Sequence, residues 1–230
     1  MNLQQIYENP LFGVTVTVGA YVIALKVQGR WKSIHPLFVC SGAIIALLLL
    51  FDIPYDDYRA GGDLITFFLG PATVALGVPL YKQRHFLRRY FAAILSGVTL
   101  GSVSGIAGAG LLVWLMGGTQ ELMATMMPKS VSSAISVEIA RQAGGIPELA
   151  AVLTVLTGLL GSMVGPALLR RLGISGDMPI GVAIGTSSHG IGTGRVIRDS
   201  ELQGSVSGVS MALAGIVTSL LFIPLYGWFH

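Results

Sequence analysis

The chain has 230 residues, and its 14 Lys+Arg and 11 Asp+Glu make up only 11% of it, against about 25% in a soluble domain. Apolar residues reach 53% and 31 residues are glycine; mean hydropathy is +0.74. That is too little charge to coat a globule in water, which excludes a soluble enzyme or binding domain and predicts a membrane protein embedded in the lipid bilayer. The net charge of +3 comes from short basic clusters between apolar runs. Such clusters signal orientation rather than a nucleic-acid face, so no nucleic-acid partner is expected. Cys40 is the only cysteine, which rules out an intrachain disulfide or a thiolate metal cage. The opening MNLQQIYENP has no basic n-region and no small-residue cleavage site, so no cleaved signal peptide is expected.

The apolar runs are continuous and longer than the alternating segments of a barrel, so the spans are expected to be helices. Residues 11–27, 36–51, 64–81, 90–116, 148–169 and 203–226 approach the 20 or so apolar residues of a crossing. Pro71 and Pro79 predict a break or kink within 64–81. Two stretches are more polar: PKSVSSAISVEIAR (128–141) and GVAIGTSSHGIGTGRVI (181–197).

Lys26, Arg30 and Lys32 place 26–35 inside, and Lys82, Arg84, Arg88 and Arg89 place 82–89 inside. Asp52, Asp56, Asp57 and Asp63, against one Arg59, put 52–63 outside with the N-terminus and 117–127. Arg170 and Arg171 should again be inside, which leaves room for one crossing, 148–169. Residues 128–143 would then dip in from outside and 178–198 from inside. The expected fold is an all-α polytopic membrane protein with about six crossings and two re-entrant or broken segments, forming one domain over 1–230. GPATVALGVPLYKQ (70–83) echoes MPKSVSSAISVEIARQ (127–142), and GSVSG occurs at 101–105 and 204–208. The echo suggests an inverted repeat with halves 11–116 and 121–226.

Gly97, Gly101 and Gly105, and likewise Gly161 and Gly165, have the spacing that lets membrane helices approach closely. Pro128, Lys129, Ser130, Ser132 and Ser133 put one cation and three hydroxyls at membrane depth. They read either as a pocket for a small anion or as an interfacial loop with Lys129 snorkelling to headgroups. Thr186, Ser187, Ser188, His189 and Thr193 sit among Gly190, Gly192 and other glycines, a composition suited to lining a cavity rather than facing lipid. His189 reads as a proton carrier or substrate ligand, or as a hydrogen-bonded structural residue. Glu138 either neutralises Lys129 across a folded hairpin or pairs with Arg141 at i+3. Pro71 and Thr73 belong to the candidate site as the matching broken segment. No G-x-S-x-G, S-x-x-K or H-E-x-x-H pattern is present, so neither an enzyme nor a metal or organic cofactor is expected.

At these motifs the sequence resembles the LrgB/CidB family of bacterial inner-membrane proteins. The matching pieces are LGPATVALGVPLYKQ (69–83), PKSVSSAIS (128–136), GGIPELAAVLTVLTGLLG (144–161) and GTSSHGIGTGRVIRDSE (185–201). Ser132 and Ser133 stand where the family usually has threonines, and Glu201 corresponds to the acidic residue downstream of the SHGIGT segment. The resemblance implies a multi-pass inner-membrane protein, with two functions attached to the family. One is holin-like: members act with a small LrgA-type membrane partner to modulate murein hydrolase export and autolysis. The other is carriage of small carboxylates, implied by a plastid glycolate/glycerate translocator that resembles a fused LrgA–LrgB chain and by members linked to pyruvate uptake. A cation, a histidine and hydroxyls gathered in broken segments suit a carrier of glycolate, glycerate, pyruvate or lactate, with or against protons, working as a homo-oligomer. The holin-like regulator is the alternative, and a structural subunit serving an LrgA-type partner is the third reading.

Overall fold

Alternating helix formers, prolines and glycines cut the chain into helices, with no strand among the described residues. The computed structural model describes residues 7, 9–31, 36–68, 71, 74 and 77–229. They fall into two compact units, Met1–Ala75 and Leu76–His230.

In the first unit, α1 (Pro10–Arg30) opens with Pro10 in its first turn. The Asn9 side chain accepts a hydrogen bond from the Leu11 N–H at 2.9 Å, supplying a partner that the first turn lacks. α2 (Pro36–Leu50) and α3 (Tyr55–Phe67) pack on α1 around Ala24, Cys40 and Ile44. Gly13 and Gly61 let α1 and α3 touch backbone to backbone, since a Cβ at 61 would lie 2.6 Å from the Gly13 Cα. One turn on, Thr17 Oγ1 and Tyr58 OH are hydrogen-bonded at 2.9 Å. One expectation is corrected here: the stretch read as a loop over 52–63 is mostly helix, because Asp56 and Asp57 in its first turn suit the positive end of the helix dipole. Within 64–81, α3 ends at Phe67, in keeping with the interruption that Pro71 and Pro79 predict.

The second unit contains α4 (Gly77–Lys82), α5 (Arg84–Arg89), α6 (Phe91–Leu115), α7 (Gln120–Met126), α8 (Ser133–Gln142), α9 (Pro147–Arg171), α10 (Asp177–Val196) and α11 (Glu201–Phe229). Gly144 and Gly173, with φ of 74° and 81°, occupy the left-handed positions that end α8 and α9. α1, α6, α9 and residues Glu201–Gly227 of α11 are long and apolar enough to cross a membrane. α2 is apolar but has 15 residues, about 22 Å of helix against a ~30 Å hydrocarbon core. α7, α8 and α10 carry the polar motifs, and they pack between the long helices of this unit.

Candidate functional site

The polar segment 177–200 begins and ends in one place. Asp177 Oδ1 accepts from Gln203 Nε2 at 2.7 Å and Oδ2 from Ser200 Oγ at 2.9 Å. A straight 20-residue helix would separate its ends by about 30 Å, so α10 must fold back, and it does so at His189, where φ is 42° and ψ −137°. The arms are 177–188 and 190–196. Ile180 and Ile184 on the first pack against Val196 on the second. Thr193 Oγ1 of the second arm reaches Ser207 Oγ on α11 at 2.8 Å. The first arm is about 18 Å deep at 1.5 Å per residue.

The PKSVSS segment is a second hairpin. Thr125 Oγ1, at the end of α7, accepts from the Ile146 N–H at 2.8 Å, so the chain leaves and returns at one level. Pro128–Ser132 forms the tip, and α8 is the returning arm.

α6 shows how deep each hairpin reaches. From its C-terminal half, Gly110 faces Met127 and Gly105 faces Ser130; from its N-terminal half, Gly97 faces Val182 and Gly101 faces Thr186. The hairpins thus enter from opposite ends and their polar residues converge midway along the helix. α9 gives the same reading for α10: Gly165 faces Ile184, Gly161 faces Ser188 and Gly158 faces His189, with Gly158 near the middle of α9. The small-residue stripes are therefore seats for the hairpins, a more specific role than general packing.

Ser130, Thr186 and Ser187 line one cavity of about 670 Å³, together with Ser104 and Gly105 on α6 and Gly165 on α9. Ser187 Oγ bonds the Ala183 carbonyl at 2.8 Å and lies 3.0 Å from Ser188 Oγ; Thr186 Oγ1 bonds the Val182 carbonyl at 2.7 Å. His189 lies away from this lining. It is buried, and its Nε2 donates to the Thr154 carbonyl at 3.0 Å. Thr193 is buried too, its hydroxyl also donating to the His189 carbonyl at 2.9 Å. Ser132 precedes the first turn of α8 and Ser133 begins it, both half-buried beside the buried Pro128. Gly192 packs tightly on Ile184 and Ser188, while Gly190 has only Met211 nearby. Lys129 is half-buried and its ammonium has no hydrogen bond or ion pair among the described residues. Glu138 is exposed and held by Arg141 and Gln142, each at 2.8 Å, so of its two sequence readings the Arg141 pair is the one formed. Pro71 lies in the first unit, and Thr73 is outside the described residues. Among the described residues no group of three or more His, Cys, Asp or Glu could hold a metal ion.

Several residues that matter to this geometry carry no motif. Asp177, Thr125 and Thr154 look unremarkable in sequence, yet they close one hairpin, close the other and hold the His189 ring. Ser102, Ser136, Thr154 and Ser210 are buried with hydroxyls that lack a partner among the described residues, although buried polar atoms are normally satisfied. The repeated GSVSG was the one available signal for Ser102 and for the polar face of α11.

Charge is also sorted along the second unit. Arg170 and Arg195 bind Asp199 at 3.3 and 2.6 Å, and Lys82 reaches Glu201 at 3.4 Å, so the basic residues of 82–89, 170–171 and 195–198 gather at the end where α10 enters.

Comparison with known proteins agrees with the family resemblance read from the sequence. An uncharacterised protein of Haemophilus influenzae is 40% identical over 90% of this chain and 90% of its own length. YwbG of Bacillus subtilis, also uncharacterised, is 39% identical over 88% of this chain and 91% of its own. The antiholin-like protein LrgB of Bacillus subtilis is 30% identical over 95% of each chain. No solved structure matches. Residues 17–228 match the LrgB-like family, and with apolar helices of spanning length and relatives aligned nearly end to end, this chain is a membrane protein that belongs to it.

Proposed function

We propose that this chain carries small monocarboxylates, of the glycolate, glycerate, pyruvate or lactate class, across the bacterial inner membrane as a multi-pass protein. The observation that supports this is the meeting of two oppositely inserted hairpins at one cavity, where Ser104, Ser130, Thr186 and Ser187 set hydroxyls in an otherwise apolar lining midway along a helix of spanning length. Carriers built from repeats place their sites where broken segments meet near the midplane. In this reading Ser130, Thr186 and Ser187 touch the substrate, since they line the cavity; Pro128, Lys129, Ser132 and Ser133 on one hairpin, and Ser188, His189, Gly190, Gly192 and Thr193 on the other, stand behind that lining and complete the substrate-binding set. Lys129 supplies the positive charge, and among the described residues no carboxylate engages it. The basic end of the second unit faces the cytoplasm. Proton coupling belongs to the same reading and rests on His189, since Glu138 is committed to Arg141 and Gln142.

The second reading is an antiholin-like regulator of murein hydrolase export acting with an LrgA-type partner. The similarity to antiholin-like LrgB proteins of Bacillus subtilis and Bacillus mycoides favours this reading more directly than transport. Uptake of a labelled carboxylate panel into proteoliposomes, with and without an LrgA-type companion, separates the two. Saturable uptake of one acid supports the carrier, whereas an unselective leak that appears or changes only with the companion supports the regulator.

A further inference from the structure

The groove at the base of α5 and α6 is chemically unlike the central cavity. Arg84, Leu87 and Arg88 follow one another at i, i+3 and i+4 and share one face of α5, and Phe91 opens α6 just beyond. With Val209 of α11 they line a groove of about 610 Å³. Leu87 anchors this face in the core formed with Ile94, Val98 and Val206. Arg84 is held in place: its Nη1 donates to the Tyr81 carbonyl at 3.1 Å, and its guanidinium sits 4.4 Å from the Tyr81 ring centre. The guanidinium of Arg88 has no hydrogen bond or ion pair among the described residues, and the nearby carboxylate of Glu201 already faces Lys82 at 3.4 Å. The groove therefore has two cations at its mouth and apolar walls below. Val209 lies eight residues into α11, about 12 Å along the helix.

We propose that this groove binds an anionic glycerophospholipid. The phosphate lies between the guanidiniums of Arg84 and Arg88, and an acyl chain runs over Leu87, Phe91 and Val209. Arginine suits the headgroup because its planar fork can donate two hydrogen bonds to one phosphate. Basic pockets between spanning helices on the cytoplasmic side are a recurrent setting for anionic lipid. A free phosphate would use the arginines but leave the apolar walls unused, so the lipid is the occupant that fits both.

The test is thermal unfolding and native mass spectrometry of the full chain in detergent, titrated with phosphatidylglycerol, phosphatidylcholine or inorganic phosphate. Phosphatidylglycerol should remain bound and raise the unfolding temperature, with little effect from the other two. R84Q/R88Q should weaken that binding roughly tenfold or more, while R171Q/R198Q, which removes equal charge at the same end, should leave it within about twofold. If the double variant is not recovered folded, R88Q alone should weaken binding in the same direction. Equal losses in both variant pairs, equal binding of phosphatidylcholine, or displacement of the lipid by inorganic phosphate would each overturn the proposal.

Discussion

The seat of the α10 turn can be broken with one methyl group. In Gly158→Ala the new Cβ would lie 2.6 Å from both Cε1 and Nε2 of His189 and 3.1 Å from Ile191 Cδ1. Comfortable carbon contacts fall near 3.5–4.0 Å, so the ring must retreat by about 1 Å. Overpacking of that size costs about 1–3 kcal/mol. The retreat also strains the 3.0 Å bond to the Thr154 carbonyl, and leaving that buried pair unsatisfied adds about 1–3 kcal/mol. Alanine's better helix propensity returns about 1 kcal/mol. The net destabilisation is about 1–5 kcal/mol, a fall of roughly 2–20 °C in unfolding temperature for a chain of this size. Gly108→Ala is the control, because a Cβ there meets nothing within 4 Å. Thermal unfolding in detergent measures both. A Gly158→Ala protein that unfolds with the Gly108→Ala control would refute the placement of His189 against α9.

Thr125→Val removes the acceptor of the Ile146 N–H and should destabilise by about 1–3 kcal/mol; wild-type unfolding would mean that the first hairpin is closed by something else. Lys129→Ala should abolish carboxylate uptake at normal membrane abundance, and Lys129→Arg should recover it only in part because the guanidinium has different geometry. Uptake by the alanine variant at the wild-type rate would return Lys129 to a headgroup-facing role. His189→Gln can still donate to the Thr154 carbonyl but cannot titrate, so it should exchange substrate yet lose accumulation driven by a pH gradient. Unchanged accumulation would make His189 a turn residue only.

Much of this arrangement was legible because polarity is conspicuous in an apolar chain. PKSVSS and GTSSHGIGTG stand out by composition, and the Lys and Arg parity pointed to each returning to the side it came from. The close contacts of Gly97, Gly101, Gly161 and Gly165 were readable from their spacing. The turn of α10 was not localised, since Gly190 is the residue expected to accept a positive φ, whereas the structure puts that conformation on His189, whose ring is pinned by Thr154 on another helix. Nor could the sequence separate His189 from the cavity that Ser187 lines, because the two are only two residues apart and the direction of the ring is set by the backbone break at His189 itself. The interruption within 64–81 was legible as well, because Pro71 and Pro79 disfavour one continuous helix. Asp177 was invisible, since its partners Ser200 and Gln203 are distant in sequence.

The central claim is that solute passes the site where the two hairpin tips meet, and Ser187 puts an exposed hydroxyl of the second hairpin into that cavity. The most direct measurement is thiol labelling of Ser187→Cys on a Cys40-replaced background, with carboxylate uptake followed in the same proteoliposomes. The account predicts that labelling blocks uptake and that saturating carboxylate slows the labelling. Labelling at an unchanged rate with carboxylate present, and uptake at full rate after complete labelling, would contradict it.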